Sequence, residues 1–153
     1  DGLYWLAEVG AAAPADTVMT PHAAEAARLL GRTVAEVQAD RLASAMELAQ
    51  QVKGISVLKG AGTVVASAER VLGICAHGNP GMASAGMGDV LSGVIGALLG
   101  QGARPGDAAV LGTCLHSLAG DRAAAVCGQR SLLATDLLPQ MVELLSAADR
   151  RNG

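Results

Sequence analysis

Apolar positions along this chain recur at helical spacing in some stretches and alternate in others, and the changes of period divide it into elements. Residues 3–9 predict a short helix, apolar on one side, followed by a loop over 10–16 that contains Pro14. Residues 17–20 predict a short strand. Thr20 is then the expected N-cap and Pro21 the first residue of a helix that ends at Gly31. Thr33 with Glu36 three residues on is a capping-box spacing. It predicts a helix whose apolar face runs through Leu42, Ala45, Met46 and Ala49 to Val52. The period then changes. Residues 55–59 and 63–67 predict two antiparallel strands around a tight Gly60-Ala61-Gly62 turn, and 70–76 a third. A glycine-rich loop leads to a helix over 88–100, and residues 105–126 read as mostly helical. Thr135 is the expected cap of a last helix through 145, with Pro139 in its first turns, and 150–153 form a frayed tail.

Helices before, between and after β-rich segments imply a layered α/β domain. The chain has 153 residues and no repeat, linker or low-complexity tract, so residues 1–153 read as a single domain. Hydrophobic residues make up 51% of it and aromatic residues 1%, with Tyr4 and Trp5 adjacent and no Phe. The core must therefore be Ala, Leu, Val and Met, which favours close packing with small residues at the contacts. The net charge of −3 and the absence of a basic stripe argue against a nucleic-acid partner. No apolar run approaches the ~20 residues that span a bilayer, so no membrane role is expected. Cys75, Cys114 and Cys127 are odd in number and lack C-x-x-C spacing. They read as reduced thiols of a cytoplasmic protein. His22, His77 and His116 show no metal-ligand spacing, so no protein-held metal is expected.

Asp89 carries the strongest chemical signal. It is the only Asp, Glu, Lys or Arg between Val71 and Ala103, and it follows Gly81, Gly86 and Gly88 at the mouth of an apolar helix. Glycines let a ligand approach the backbone closely, and a helix N-terminus adds partial positive charge suited to phosphate. An anion cradle with a base at its edge is one reading, and a plain helix cap is the other. Two further segments could meet this loop, because ligands in open α/β sheets sit beyond the carboxyl ends of strands. Lys59 ends one strand beside residues with little side chain. The alternative there is a hairpin with a solvated lysine. His22 lies in the first turn of a helix, where a neutral imidazole able to donate to a substrate is favoured. The alternative is a surface histidine beside a cap. His116 falls on a helix that reads as buried, so packing is its expected role, with Asp121 nearby to satisfy polar groups.

Thr20-Pro21-His22, the run from Leu58 to Thr63, the run from Gly78 through Asn79-Pro80-Gly81-Met82 to Gly93, and the run from Leu115 to Asp121 occur in this order. Together they resemble the signatures of the NAD(P)H-hydrate dehydratase family, ADP- or ATP-dependent repair enzymes of the ribokinase-like superfamily. The resemblance covers nearly the whole chain and implies a three-layer α/β/α fold lacking its N-terminal half. It implies a lyase acting on the 6-hydroxy hydrates of NADH and NADPH, NADHX and NADPHX, by phosphorylation of the hydroxyl and loss of phosphate. ADP or ATP and Mg²⁺ are the implied cofactors, the Mg²⁺ held through phosphates and water. Asp89 matches the family's catalytic base. Lys59, Gly60, Ala61, Gly62, Thr63 and Gly88 match its nucleotide-binding positions. His22 and Asp89 match its hydrate-binding positions, and the backbone of Ala85, Gly86, Met87 and Gly88 would form the anion hole. A homo-oligomer is expected. With half the domain missing, the chain alone is expected to be inactive. A small-molecule kinase of the same superfamily is the nearest alternative, and a catalytically silent nucleotide-binding fragment is an alternative of another class.

Overall fold

The computed structural model describes residues 16–152, with Leu3 and Pro14 before them and side chains through Arg150. Of the helix expected over 3–9, Leu3 is described and is helical; the rest lies outside the described residues. The elements run β1 (Val18–Met19), α1 (Ala23–Leu30), α2 (Val34–Ala39), α3 (Arg41–Val52), β2 (Ile55–Leu58), β3 (Thr63–Ala66), β4 (Val71–Cys75), α4 (Met87–Gly100), α5 (Pro105–Cys127) and α6 (Leu137–Asn152). Short 3₁₀ turns at Pro80–Met82 and Ala134–Asp136 precede α4 and α6.

The strands form one sheet in the order β1-β2-β3-β4. β1 is parallel to β2, and β3 is antiparallel to both of its neighbours. β1, β2 and β4 therefore point the same way, and their carboxyl ends share one edge with the turn that opens β3. Residues 55–58 are internal to the sheet; among the described residues the edge strands are β1 and β4.

Strand alternation divides the core between the two faces. Leu58, Val64 and Ala66 pack with Met19, Ala26, Val37, Ala45 and Leu48 beneath α1–α3. Ile55, Val57 and Val65 pack with Leu91, Ile95, Ala108 and Ala109 of α4 and α5. A further cluster of Met87, Ala119, Leu137 and Met141 binds α4, α5 and α6 together. The result is helices, sheet, helices. Small residues set the spacing, as the aromatic-poor composition requires. A Cβ at Gly112 of α5 would come within 2.7 Å of Ile95 Cγ1 on α4.

Several boundaries differ from expectation. Helix α1 opens two residues late: His22, not Thr20, is its N-cap, with a reciprocal capping box to Glu25. The helix expected over 33–52 is two helices, because Asp40 leaves the α region (φ −140°, ψ 83°) and caps α3 by accepting from Ala43 N–H. Thr135 lies inside a 3₁₀ turn and does not cap α6. Helix α6 continues through Asn152, where a frayed tail was expected.

Candidate active site

The carboxyl ends of β1, β2 and β4 open onto a cleft of about 670 Å³. Its walls come from four places: His22 beyond β1, Lys59–Thr63 beyond β2, residues 76–84 beyond β4, and Met87, Gly88 and Leu91 at the start of α4. Thr113, His116 and Ser117 of α5 form its floor. The convergence of three segments expected from the strand ends is thus what the fold builds. A hydroxyl contact of 3.2 Å between Thr20 and Ser92 ties the end of β1 to α4.

The hairpin turn is held from both sides. Thr63 Oγ1 donates to Gly60 O at 3.1 Å, and Gly62 has a φ of +71°, which an L side chain would resist. Beneath the turn, Arg41 Nη2 donates to Leu58 O at 2.9 Å and to Gly62 O at 3.3 Å. A Cβ on Gly60 would meet the same guanidinium at 3.0 Å. Burial pushes the Arg41 pKa below the usual arginine value, and the group stays charged.

Lys59 reaches across the cleft. Its Nζ stands 3.0 Å from where a Cβ on Gly88 would be, and 3.9 Å from Glu25 Oε2. Gly88 is in the first turn of α4, whose N-cap Gly86 takes a φ of +83° and carries no side-chain cap bond. The free amides of that turn are positive in character. An ammonium beside them is an unfavourable pairing that an anion between the two would reverse. Met87 and Gly88 line the cleft; Ala85 and Gly86 precede the lining stretch of α4.

Asp89 is exposed. It is the third residue of α4 and makes no cap. Among the described residues its carboxylate has no hydrogen bond or ion pair, so the cap alternative has no support. Asp89 itself does not line the cleft; it follows Gly88, which does. His22 is exposed at the rim. Its Nδ1 accepts from Glu25 N–H at 3.2 Å, which leaves the proton on Nε2.

Two residues of α5 support the cleft: His116 was read too narrowly, and Asp121 satisfies polar groups as expected. His116 is not simply packing: it lines the cleft and its Nε2 lies 2.9 Å from Met87 O. Asp121 holds the loop that forms the far wall. Its Oδ2 accepts from Gly78 N–H and its Oδ1 from Asn79 Nδ2, both at 3.0 Å. Asn79 Oδ1 in turn accepts from Gly81 N–H. Among the described residues no group of three or more His, Cys, Asp or Glu stands together as a metal site.

Comparison with known proteins gives the family and the fold. The family described as NAD(P)H-hydrate dehydratase matches residues 1–142. The chain belongs to the NAD(P)H-hydrate dehydratase family. It is 56% identical over 129 residues to the bifunctional NAD(P)H-hydrate repair enzyme Nnr of Escherichia coli, covering 84% of this chain and 25% of that protein. It is 50% identical over 104 residues to the ADP-dependent (S)-NAD(P)H-hydrate dehydratase of Neisseria meningitidis, covering 68% of this chain and 35% of that protein. Among solved structures, the ADP/ATP-dependent NAD(P)H-hydrate dehydratase of Bacillus subtilis, co-crystallised with ATP and Mg²⁺, superimposes with a TM-score of 0.82 at 28% identity. That match covers 90% of this chain and 50% of the Bacillus chain. A ribokinase-like superfamily protein of Enterococcus faecalis matches with a TM-score of 0.79 at 25% identity, covering 95% of this chain and 50% of that one. The fold is therefore ribokinase-like, and the chain spans about half the length of these solved members.

Proposed function

We propose that this dehydratase family member removes water from the 6-hydroxy hydrates of NADH and NADPH, by phosphorylation of the hydroxyl and loss of phosphate. The observation that carries this reading is the meeting of Lys59 with Gly88 at the positive end of α4, inside a cleft of nucleotide size. That arrangement fits a phosphate chain. Lys59 and the turn after it would hold ADP or ATP, which would supply the phosphoryl group, and Mg²⁺ would offset the charge of the phosphates.

The residues divide the remaining work. Lys59, Gly60, Ala61, Gly62 and Thr63 hold the nucleotide with Gly88, where the glycines leave backbone groups open. The N–H groups of Ala85, Gly86, Met87 and Gly88 stabilise the charge of the transferring phosphoryl. Asp89 accepts the hydroxyl proton, at the ~2.6–3.2 Å range of a competent complex. Its lack of any partner leaves it available for this task. His22 holds the hydrate with its Nε2–H. Hydroxide leaves poorly at neutral pH and phosphate leaves well, which is why the hydroxyl must first be phosphorylated. A cytoplasmic homo-oligomer fits the free thiols and the exposed Leu138, Val142 and Leu145 along one side of α6.

The test is turnover by the protein at its full encoded length. The hydrate, ADP and Mg²⁺ are supplied, and the return of reduced-nicotinamide absorbance is followed. Turnover that needs the nucleotide supports the reading. Nucleotide binding without turnover of the hydrate rejects it.

A further inference from the structure

We propose that His116 is a positioning residue: by donating Nε2–H to the Met87 carbonyl, it aims and polarises the Gly88 N–H toward the phosphoryl site. This rests on the function proposed above. Met87 O lies 2.9 Å from His116 Nε2, and a carbonyl oxygen can only accept, so Nε2 carries the proton. The Met87 carbonyl and the Gly88 N–H are the two ends of one planar trans peptide unit. They point in opposite directions, so a bond that fixes one fixes the other. The Gly88 N–H belongs to the first turn of α4, whose amides have no partner within the helix. A hydrogen bond to the carbonyl end also polarises the unit and strengthens the donor at its other end.

The surroundings favour this bond. His116 is 7% exposed, on the inner side of α5. Burial holds its pKa down, and the Lys59 charge adds to the effect, so the ring remains neutral with one proton to give. Lys59 stands beside Gly88 on the cleft side, 3.0 Å from where a Cβ there would be. The unit thus has the imidazole fixing its carbonyl and the ammonium beside its Gly88 end. A residue that only filled space would need no donor here.

The experiment compares His116→Leu, His116→Gln and His116→Asn at full encoded length. The Gly88 amide resonance is read with isotope-labelled glycine, together with kcat for the hydrate and Kd for ADP. The Leu variant should move the Gly88 resonance in the direction of a weaker amide donor. It should lower kcat about 10- to 100-fold while Kd changes less than about threefold. Gln carries an N–H that reaches the carbonyl and should recover most of both readouts. Asn is one methylene shorter and should not, so the Gln–Asn pair decides the matter if the Leu variant fails to fold. An unmoved Gly88 resonance, or a loss that Gln and Asn share equally, overturns the proposal. So does a fall in kcat matched by an equal loss of ADP affinity. If the wild type binds ADP but does not turn over the hydrate, the functional reading fails, and the Gly88 resonance still decides the role of His116.

Discussion

Lys59 and Gly88 are joined by an absence: the ammonium occupies space that any side chain at residue 88 would claim, 3.0 Å from the missing Cβ. Gly88 has no left-handed φ, so its backbone accepts alanine. Gly88→Ala should leave the melting temperature unchanged or slightly higher, since alanine favours a helix by about 0.5–1 kcal/mol. It should weaken ADP binding about tenfold or more, the scale of one charge-assisted hydrogen bond. Thermal melts and ADP titration measure both. Unchanged affinity would show that the Lys59–Gly88 approach is incidental.

Arg41 supports the turn from Gly60 to Thr63 without lining the cleft. Arg41→Ala frees Leu58 O and Gly62 O together. Loss of bonds to a charged donor costs about 1.5–3 kcal/mol when buried, and less at this half-buried site. The expected result is weaker ADP binding with little change in kcat at saturating nucleotide. Lysine should not rescue it, because it lacks the second nitrogen that bonds Gln38 Oε1 at 3.0 Å while Nη2 serves the two carbonyls. Full rescue by Arg41→Lys would show that charge alone is required.

The fold was largely legible because its signals are local. Alternation around Gly60-Ala61-Gly62 marks the hairpin, and Thr33 with Glu36 marks the start of α2, as the structure shows. Asp40 was missed as a break because the apolar period continues across it with neither glycine nor proline. His22 displaced Thr20 as a cap because its imidazole nitrogen can accept from Glu25 N–H, a role usually filled by Ser, Thr, Asp or Asn. The residues that shape the cleft and escaped the sequence reading act over distance. Arg41 meets carbonyls 17 and 21 residues away, and His116 meets one 29 residues away. No local pattern encodes those pairings; only the sheet order and the packing of α5 on α4 create them.

Acid should expose His116. Its folded pKa lies below the ordinary histidine value of 6.5, mainly through burial, against the opposing effect of the Met87 bond. As pH falls through that value the unfolded chain takes up a proton that the folded protein refuses. Stability is fully present above that pH and declines below it, by at most about 1.4 kcal/mol per pH unit for one group. Denaturant unfolding from neutral pH downward should show this slope in the wild type and a flatter one in His116→Gln. Identical slopes would mean that His116 contributes no such linkage.

Asp89→Asn, at full encoded length, tests the central claim most directly. The substitution removes a base and leaves the backbone cradle of α4 intact. With the hydrate, ADP and Mg²⁺ present, kcat should fall about 10²- to 10⁴-fold while ADP affinity stays near that of the wild type. An asparagine variant that keeps more than about a tenth of the wild-type kcat would contradict the assignment of Asp89 as the general base.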